Sequence, residues 1–148
     1  MNGYSVPQNY EKAFKWYTLA ANHGHADAQY NLGVLYEYGN GIQQNYEAAL
    51  KWYTLAANQG HTYAQYNLGV FYTLGNAFPK DYTKAIQWYR LAAAQDSADA
   101  QNNLGTFYEN GYGVPKNYTE AIKWYTLAAD QGNVTAQKNL TRLLNLSK

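Results

Sequence analysis

Apolar residues fall into a repeating pair of helical patterns. Ala13, Trp16, Tyr17, Ala20 and Ala21 stand at i, i+3, i+4, i+7 and i+8, which gathers them on one face of an α-helix. This helix should start near Asn9, and Asn45, Asp81 and Asn117 serve as side-chain N-caps in later copies. Asn117 and Glu120 add the spacing of a capping box, with Asn in place of Ser or Thr. Gly24, Gly60 and Gly132 end the pattern, since glycine adopts the left-handed conformation without steric cost. Asp96 takes that place in the third copy, where a looser or differently closed turn is expected. A second helix is predicted from about Ala26 to Tyr38, with Ala28, Leu32, Leu35 and Tyr36 on its core face.

The pair recurs with a fixed period. Trp16, Trp52, Trp88 and Trp124 stand 36 residues apart. Tyr10, Tyr46, Tyr82 and Tyr118 keep the same register, as do Gln29, Gln65, Gln101 and Gln137. Asn31, Asn67, Asn103 and Asn139 follow it, and so do Leu32, Leu68, Leu104 and Leu140. Between pairs lie Gly39-Asn-Gly41, Gly75-Asn-Ala77 and Gly111-Tyr-Gly113, with Pro79 or Pro115 after the last two, which mark tight connections. Gly33, Gly69 and Gly105 each interrupt the second helix at a cost of about 1 kcal/mol relative to alanine. Close approach of a neighbouring helix explains a repeated cost of this kind. The matching residue of the last copy is Thr141, after which no further helix follows. The expected fold is all-α: a right-handed α/α superhelix, or solenoid, of tandem helix-turn-helix repeats stabilised by neighbouring units. We divide the single solenoid at residues 1–148 into a partial repeat (1–24), three repeats (25–60, 61–96, 97–132) and a C-terminal capping helix (133–148).

These residues resemble the Sel-1-like repeat family, a 36-residue relative of the tetratricopeptide repeat. One copy reads Ala26, Ala28, Gln29, Leu32, Gly33, Tyr36, Gly39, Gly41, Ile42, Tyr46, Ala49, Trp52, Tyr53, Ala56, Ala57 and Gly60. The match departs at Ala77, Asp96, Thr141 and Leu144. The resemblance implies an adaptor or scaffold that holds partner proteins or peptides and has no catalysis of its own.

The ends differ. In the family register Met1–Gln8 resembles the tail of a missing helix, with Gly3 and Val6 matching Gly39 and Ile42. The outer face of the helix carrying Trp16 should then be apolar and only partly covered. Either a longer array or self-association through this end is expected. The last helix reads as a cap, with Leu140, Leu143 and Leu144 inward and Lys138, Arg142 and Asn145 outward.

A concave wall, if the array curves like tetratricopeptide arrays, is built from the non-core face of the second helices. Leu32 and Val34 are about 200° apart around a helix, so both cannot belong to one core face. The candidate partner-binding residues on this wall are Tyr30, Glu37, Tyr38, Tyr66, Thr73, Asn102, Glu109 and Arg142. Tyrosine suits such a surface through its rigid area and its hydroxyl, although Tyr30, Tyr66 and Val70 also fit packing between repeats. Recurrence of the asparagines in every copy favours bonds to the backbone of the neighbouring repeat over a peptide clamp. The four tryptophans are read as packing residues.

Composition narrows the chemistry. The 148 residues are 47% hydrophobic, 17% aromatic and 14% charged, which excludes a disordered chain. A net charge of +1 gives no reason to expect nucleic acid, and no apolar run is long enough for membrane insertion. Without cysteine there is no disulfide framework. Met1–Gln8 lacks signal-peptide order, leaving the cytoplasm as the default compartment. His23, His25 and His61 offer no convergent metal set, and His25 and His61 are expected to cap the helices that follow them. No phosphate loop, G-x-S-x-G or S-x-x-K is present, so neither catalysis nor a cofactor is expected. A protein or peptide partner is the expected ligand. A tyrosine-lined carbohydrate groove is the alternative from another class, and hydrolysis is a third.

Overall fold

A computed structural model describes residues 9–75 and 78–146. The resemblance of Met1–Gln8 to a helix tail, with Gly3 and Val6, lies outside the described residues, as does Ala77. Eight α-helices of 13 residues follow one another among the described residues: α1 (Tyr10–Asn22), α2 (Ala26–Tyr38), α3 (Tyr46–Asn58), α4 (Thr62–Leu74), α5 (Tyr82–Ala94), α6 (Ala98–Asn110), α7 (Tyr118–Asp130) and α8 (Val134–Leu146). They fall into two compact units, residues 1–61 with α1 to α3 and residues 62–148 with α4 to α8.

Local chemistry sets these boundaries. Asn9, Asn45, Asp81 and Asn117 each accept the amide of the residue three further on, at 3.0–3.1 Å, which satisfies one orphan donor of each odd-numbered helix. At the other end, Gly60 donates to the Ala57 carbonyl at 2.9 Å and His61 to Ala56 at 3.1 Å, with Gly60 at φ 90°. The Asp96 turn closes in the same way, which corrects the expectation of a looser one. Asp96 takes φ 66°, and the amides of Asp96 and Ser97 reach Ala93 and Ala92 at 3.0 and 3.1 Å. Aspartate tolerates this conformation better than most residues, so the same two bonds form there.

In the first unit, Ala21, Ala28, Leu32 and Trp52 form a buried cluster flanked by Phe14, Tyr17, Ala20 and Tyr36. The α3 stripe of Ala49, Trp52, Tyr53, Ala56 and Ala57 is wholly buried. Trp16 departs from the packing role expected of it: it is 69% exposed, against 9% for its counterpart Trp52. The same face of α1 also exposes Leu19 and supports only Ala21 as a buried residue. In the second unit, Ala85, Ile86, Tyr89, Ala92, Ala93, Ala100, Leu104 and Phe107 form the main core. Ala121, Tyr125 and Leu143 continue it towards α8. Of the three leucines expected to point inward from α8, Leu143 is buried and Leu140 half-buried, but Leu144 is exposed.

The glycines inside even-numbered helices have a direct steric cause. A Cβ at Gly33 would lie 2.7 Å from ring carbons of Tyr53 on α3. Gly69 meets the ring of Tyr89 on α5 in this way, and Gly105 meets that of Tyr125 on α7. Each tyrosine is almost completely buried. Helix propensity is thus given up so that an aromatic ring can lie flat against backbone. Thr141, at the matching position of α8, is exposed.

A second repeated device is polar. Gln29, Gln65 and Gln101 are buried and accept from Gln59, Gln95 and Gln131 at 2.7–2.8 Å. Gln29 and Gln101 also donate to the carbonyls of Ala21 and Ala93 at 3.2 and 3.3 Å. Gln29 and Gln101 therefore each join the helix before them to the end of the helix after them, so their polar atoms stay bonded without water.

Candidate functional site

The candidate residues come from α2, α4, α6 and α8, and their geometry begins with the buried tyrosines. The ring that fills the space over each glycine sends its hydroxyl to the helical position four residues further on. The Tyr53 hydroxyl donates to Glu37 Oε2 at 2.5 Å, and the Tyr125 hydroxyl donates to Glu109 Oε2 at 2.7 Å. At the equivalent place on α4, Thr73 Oγ1 lies 3.2 Å from the Tyr89 hydroxyl and donates to the Gly69 carbonyl at 2.7 Å. Burial pushes the Tyr89 hydroxyl up to about 12 and raises that of Tyr125, so both remain protonated donors at neutral pH.

The two carboxylates have different surroundings. Arg142 Nη1 reaches Glu109 Oε1 at 2.6 Å and Nη2 reaches Oε2 at 2.8 Å, a fork spanning both oxygens. The Glu109 side chain is 12% exposed and that of Arg142 is 49%. These bonds hold Glu109 below the usual carboxylate range despite its burial. Glu37 has only the tyrosine. Desolvation dominates there and raises its pKa, with the Tyr53 bond opposing the shift. No lysine, arginine or histidine pairs with Glu37 among the described residues.

The other candidates divide by exposure. Tyr30 is half-buried, stacked on His61 at 4.6 Å between ring centres and tilted against Tyr53 at 5.7 Å. Tyr66 is half-buried against Tyr89 at 5.9 Å, and burial raises its pKa. Asn102 is buried and accepts from the Asn139 amide at 3.1 Å. Tyr38, by contrast, is 65% exposed at the end of α2. Within the second unit Glu109 is joined to Arg142, and Asn102 separately to Asn139, by bonds between α6 and α8. The first unit groups Tyr30 and Glu37 around Tyr53.

Two expectations about polar residues change. Asn139 donates its amide to Asn102 Oδ1 at 3.1 Å. It therefore links repeats through side chains, where a bond to the neighbouring backbone was expected. His25 does not cap as expected. His25 occupies the N-cap of α2 with no side-chain bond to it, and His61 Nε2 approaches Asp27 Oδ1 at 3.1 Å while its ring lies on Tyr30. Ser97 and Asn133 do cap α6 and α8, accepting the amides of Ala100 and Ala136.

Exposed leucines on the odd-numbered helices went unremarked in the sequence, although Leu19, Leu55, Leu91 and Leu127 keep the period of 36 and are all exposed. Their regular spacing was the available signal. Among the described residues no group of three or more His, Asp or Glu side chains is placed to hold a metal ion. No helix among them is long and apolar enough to cross a membrane.

Paired helices, glycine–tyrosine contacts and amide links at one period define a helical-repeat protein, all-α and of the solenoid class. The chain belongs to the Sel1 repeat family, whose model matches residues 1–25, 26–61, 62–97 and 98–133. It is similar to a Sel1 repeat protein of Oxalobacter formigenes, at 41% identity and a TM-score of 0.85 over 90% of this chain and 53% of that one. It is also similar to c5321, a protective antigen of uropathogenic Escherichia coli with this fold, at 39% identity and a TM-score of 0.83 over 85% of this chain and 27% of that one. The chain thus spans about half the length of the first and a quarter of the second. Cysteine rich protein B of Helicobacter pylori matches along its whole length at 26% identity and a TM-score of 0.70, covering 94% of this chain. No curated protein sequence is similar enough to count as a relative. Members of the family generally serve as protein-interaction scaffolds and are typically non-catalytic.

Proposed function

We propose that this chain is a non-catalytic scaffold that binds an extended peptide or a partner's helix through exposed side chains of its even-numbered helices. The observation that carries this reading is the double apolar character of the even-numbered helices. Leu32, Leu68 and Leu104 are buried on one face, while Tyr38, Tyr63 and Leu74 are exposed elsewhere on α2 and α4. A helix needs only one apolar face to pack into its own array; large exposed apolar side chains beyond that face mark an interaction surface. Tyr30, Glu37, Tyr38, Tyr66, Thr73, Asn102, Glu109 and Arg142 are the residues assigned to it. Tyr30, Tyr66 and Asn102 contribute mainly by shaping the surface, because each is already packed or bonded to a neighbouring helix. Tyr38, Glu37 and the exposed part of Arg142 are the ones a partner meets directly. Nothing among the relatives favours sugar over protein as the ligand.

The test is capture of partners from the native host on immobilised protein, compared between wild type and a Tyr38→Ser, Leu74→Ser double variant. Both side chains are exposed, so melting should stay within about 2 °C of wild type, the scale of surface changes. Partners lost by this variant support the assignment. Partners kept by it but lost on Leu19→Ser with Leu55→Ser would move binding to the odd-numbered helices and refute it.

A further inference from the structure

The array contains its own template for recognising a basic side chain. At Glu109 a buried tyrosine holds one carboxylate oxygen, and a guanidinium closes over both oxygens with bonds of 2.6 and 2.8 Å. Arg142 follows Glu109 by 33 residues. Glu37 has no lysine, arginine or histidine paired with it among the described residues. Glu37 nevertheless keeps the other half of the arrangement, with the Tyr53 hydroxyl at 2.5 Å and the Gly33 contact that positions the ring. Glu37 is also bound at its backbone, where the carbonyl accepts from Gln44 Nε2 at 2.6 Å, so the end of α2 that carries it is held in place.

We infer that Glu37, positioned by Tyr53, receives an arginine from a partner protein, forming the kind of fork-on-carboxylate pair that Arg142 forms with Glu109. This rests on the scaffold reading and names the chemistry of one of its contacts. Arginine is preferred over lysine because the tyrosine already occupies one direction of approach to Oε2. A planar fork still reaches Oε1 and Oε2 together, as it does at Glu109, whereas an ammonium group is a single point of charge. Retention of a half-buried carboxylate without a cation costs stability in the free protein, and burial accordingly raises the pKa of Glu37. A partner's guanidinium reverses that cost on binding. Positions built for binding commonly carry such a penalty.

Random decapeptides displayed on phage, selected separately on wild type and on Glu37→Gln, test the inference. Glutamine keeps an oxygen for the Tyr53 hydroxyl, and circular dichroism melting confirms that the variant is folded. Glu47→Gln, an exposed change on α3, serves as the control surface. The expected result is enrichment of arginine in peptides selected on wild type and on Glu47→Gln. A fluorescent synthetic copy of such a peptide should bind Glu37→Gln about tenfold more weakly, equivalent to about 1.4 kcal/mol. Replacing its arginine by citrulline or lysine should weaken binding to wild type similarly. Peptides selected without arginine, or bound equally by wild type and Glu37→Gln, overturn the inference and leave the scaffold reading standing. A library from which wild type retains no peptide overturns both.

Discussion

Removing the charge from Glu37 and from Glu109 should shift stability in opposite directions. Glu109 accepts two bonds from Arg142 and one from Tyr125, and its pKa is lowered chiefly by the Arg142 bond. A carboxyl with a lowered folded-state pKa stabilises the fold above its ordinary value of 4.5 and loses that contribution as the pH falls through the folded-state pKa. Glu109→Gln keeps the tyrosine bond but loses the charge and one arm of the fork. With Arg142 half exposed, the loss at pH 7 is about 1–2 kcal/mol, between a surface ion pair and a buried charged hydrogen bond. For a chain of this length that is a fall in melting temperature of about 3–6 °C. Glu37 has the reverse sign. Its folded-state pKa is raised, so the folded protein holds a proton that the unfolded chain releases, and stability declines as the pH rises from 4.5 to the folded-state pKa. Glu37→Gln should therefore melt higher at pH 7, by about 1–2 °C because the group is partly solvated. The Glu37 effect should vanish well below pH 4.5, where its carboxyl is protonated in either state, and the Glu109 effect should shrink as the pH falls through its lowered folded-state pKa. Thermal melts by circular dichroism at pH 3, 5 and 7 check this. Destabilisation of similar size by both variants at pH 7 would show that Glu37 already has a stabilising charge partner, and the argument would fail.

Three further outcomes follow from the repeated contacts. Gly105→Ala places a Cβ 2.5 Å from the Tyr125 ring, and overpacking of about 1–3 kcal/mol outweighs the gain in helix propensity of about 1 kcal/mol, so denaturant titration should show a less stable protein. Asp96→Gly relieves an aspartate at φ 66° and should raise the melting temperature by about 2–4 °C, corresponding to a gain of about 1 kcal/mol. Gln101→Leu leaves the Gln131 amide and the Ala93 carbonyl without their shared partner and should cost about 1–3 kcal/mol in the same titration, although leucine is the more hydrophobic residue.

Much of this architecture is written in residue spacing. The fixed period of Trp16, Trp52, Trp88 and Trp124, the asparagine and aspartate caps, and the glycine ends are local signals, and the helices form where those signals place them. The steric purpose of Gly33, Gly69 and Gly105 was legible too, because a repeated cost in propensity implies a repeated contact. What spacing does not convey is how residues in equivalent registers differ in their surroundings. Trp16 and Trp52 are identical in register, yet one is exposed and the other buried, because cover depends on which helix lies opposite. The Gln29, Gln65 and Gln101 series was visible as a recurrence, but a lone glutamine gives no sign that it will be buried. Its role emerges only when a second amide, from Gln59, Gln95 or Gln131, is placed against it. The His25 cap failed for a related reason: N-cap register places the backbone of His25 at the start of α2, but its side chain makes no bond to the helix.

The division between invariant and variable registers bears on which residues act as an array and which act on a partner. Tyr53, Tyr89 and Tyr125, at one register, each lie against the glycine of the helix before and hold that helix pair together. Among the registers that vary are Tyr30, Tyr66 and Asn102; Glu37, Thr73 and Glu109; and Val34, Val70, Thr106 and Arg142. In the Glu109 copy the variation is internally complementary, since carboxylate and arginine coincide. In the Glu37 copy only the carboxylate is present, and the charge is left without its counterpart. A uniform scaffold gains nothing from that asymmetry, because threonine at the same register satisfies its tyrosine without any charge, as Thr73 does for Tyr89. The unpaired glutamate is therefore the place where this array departs from what its own packing requires, and it is there that a partner has most to offer.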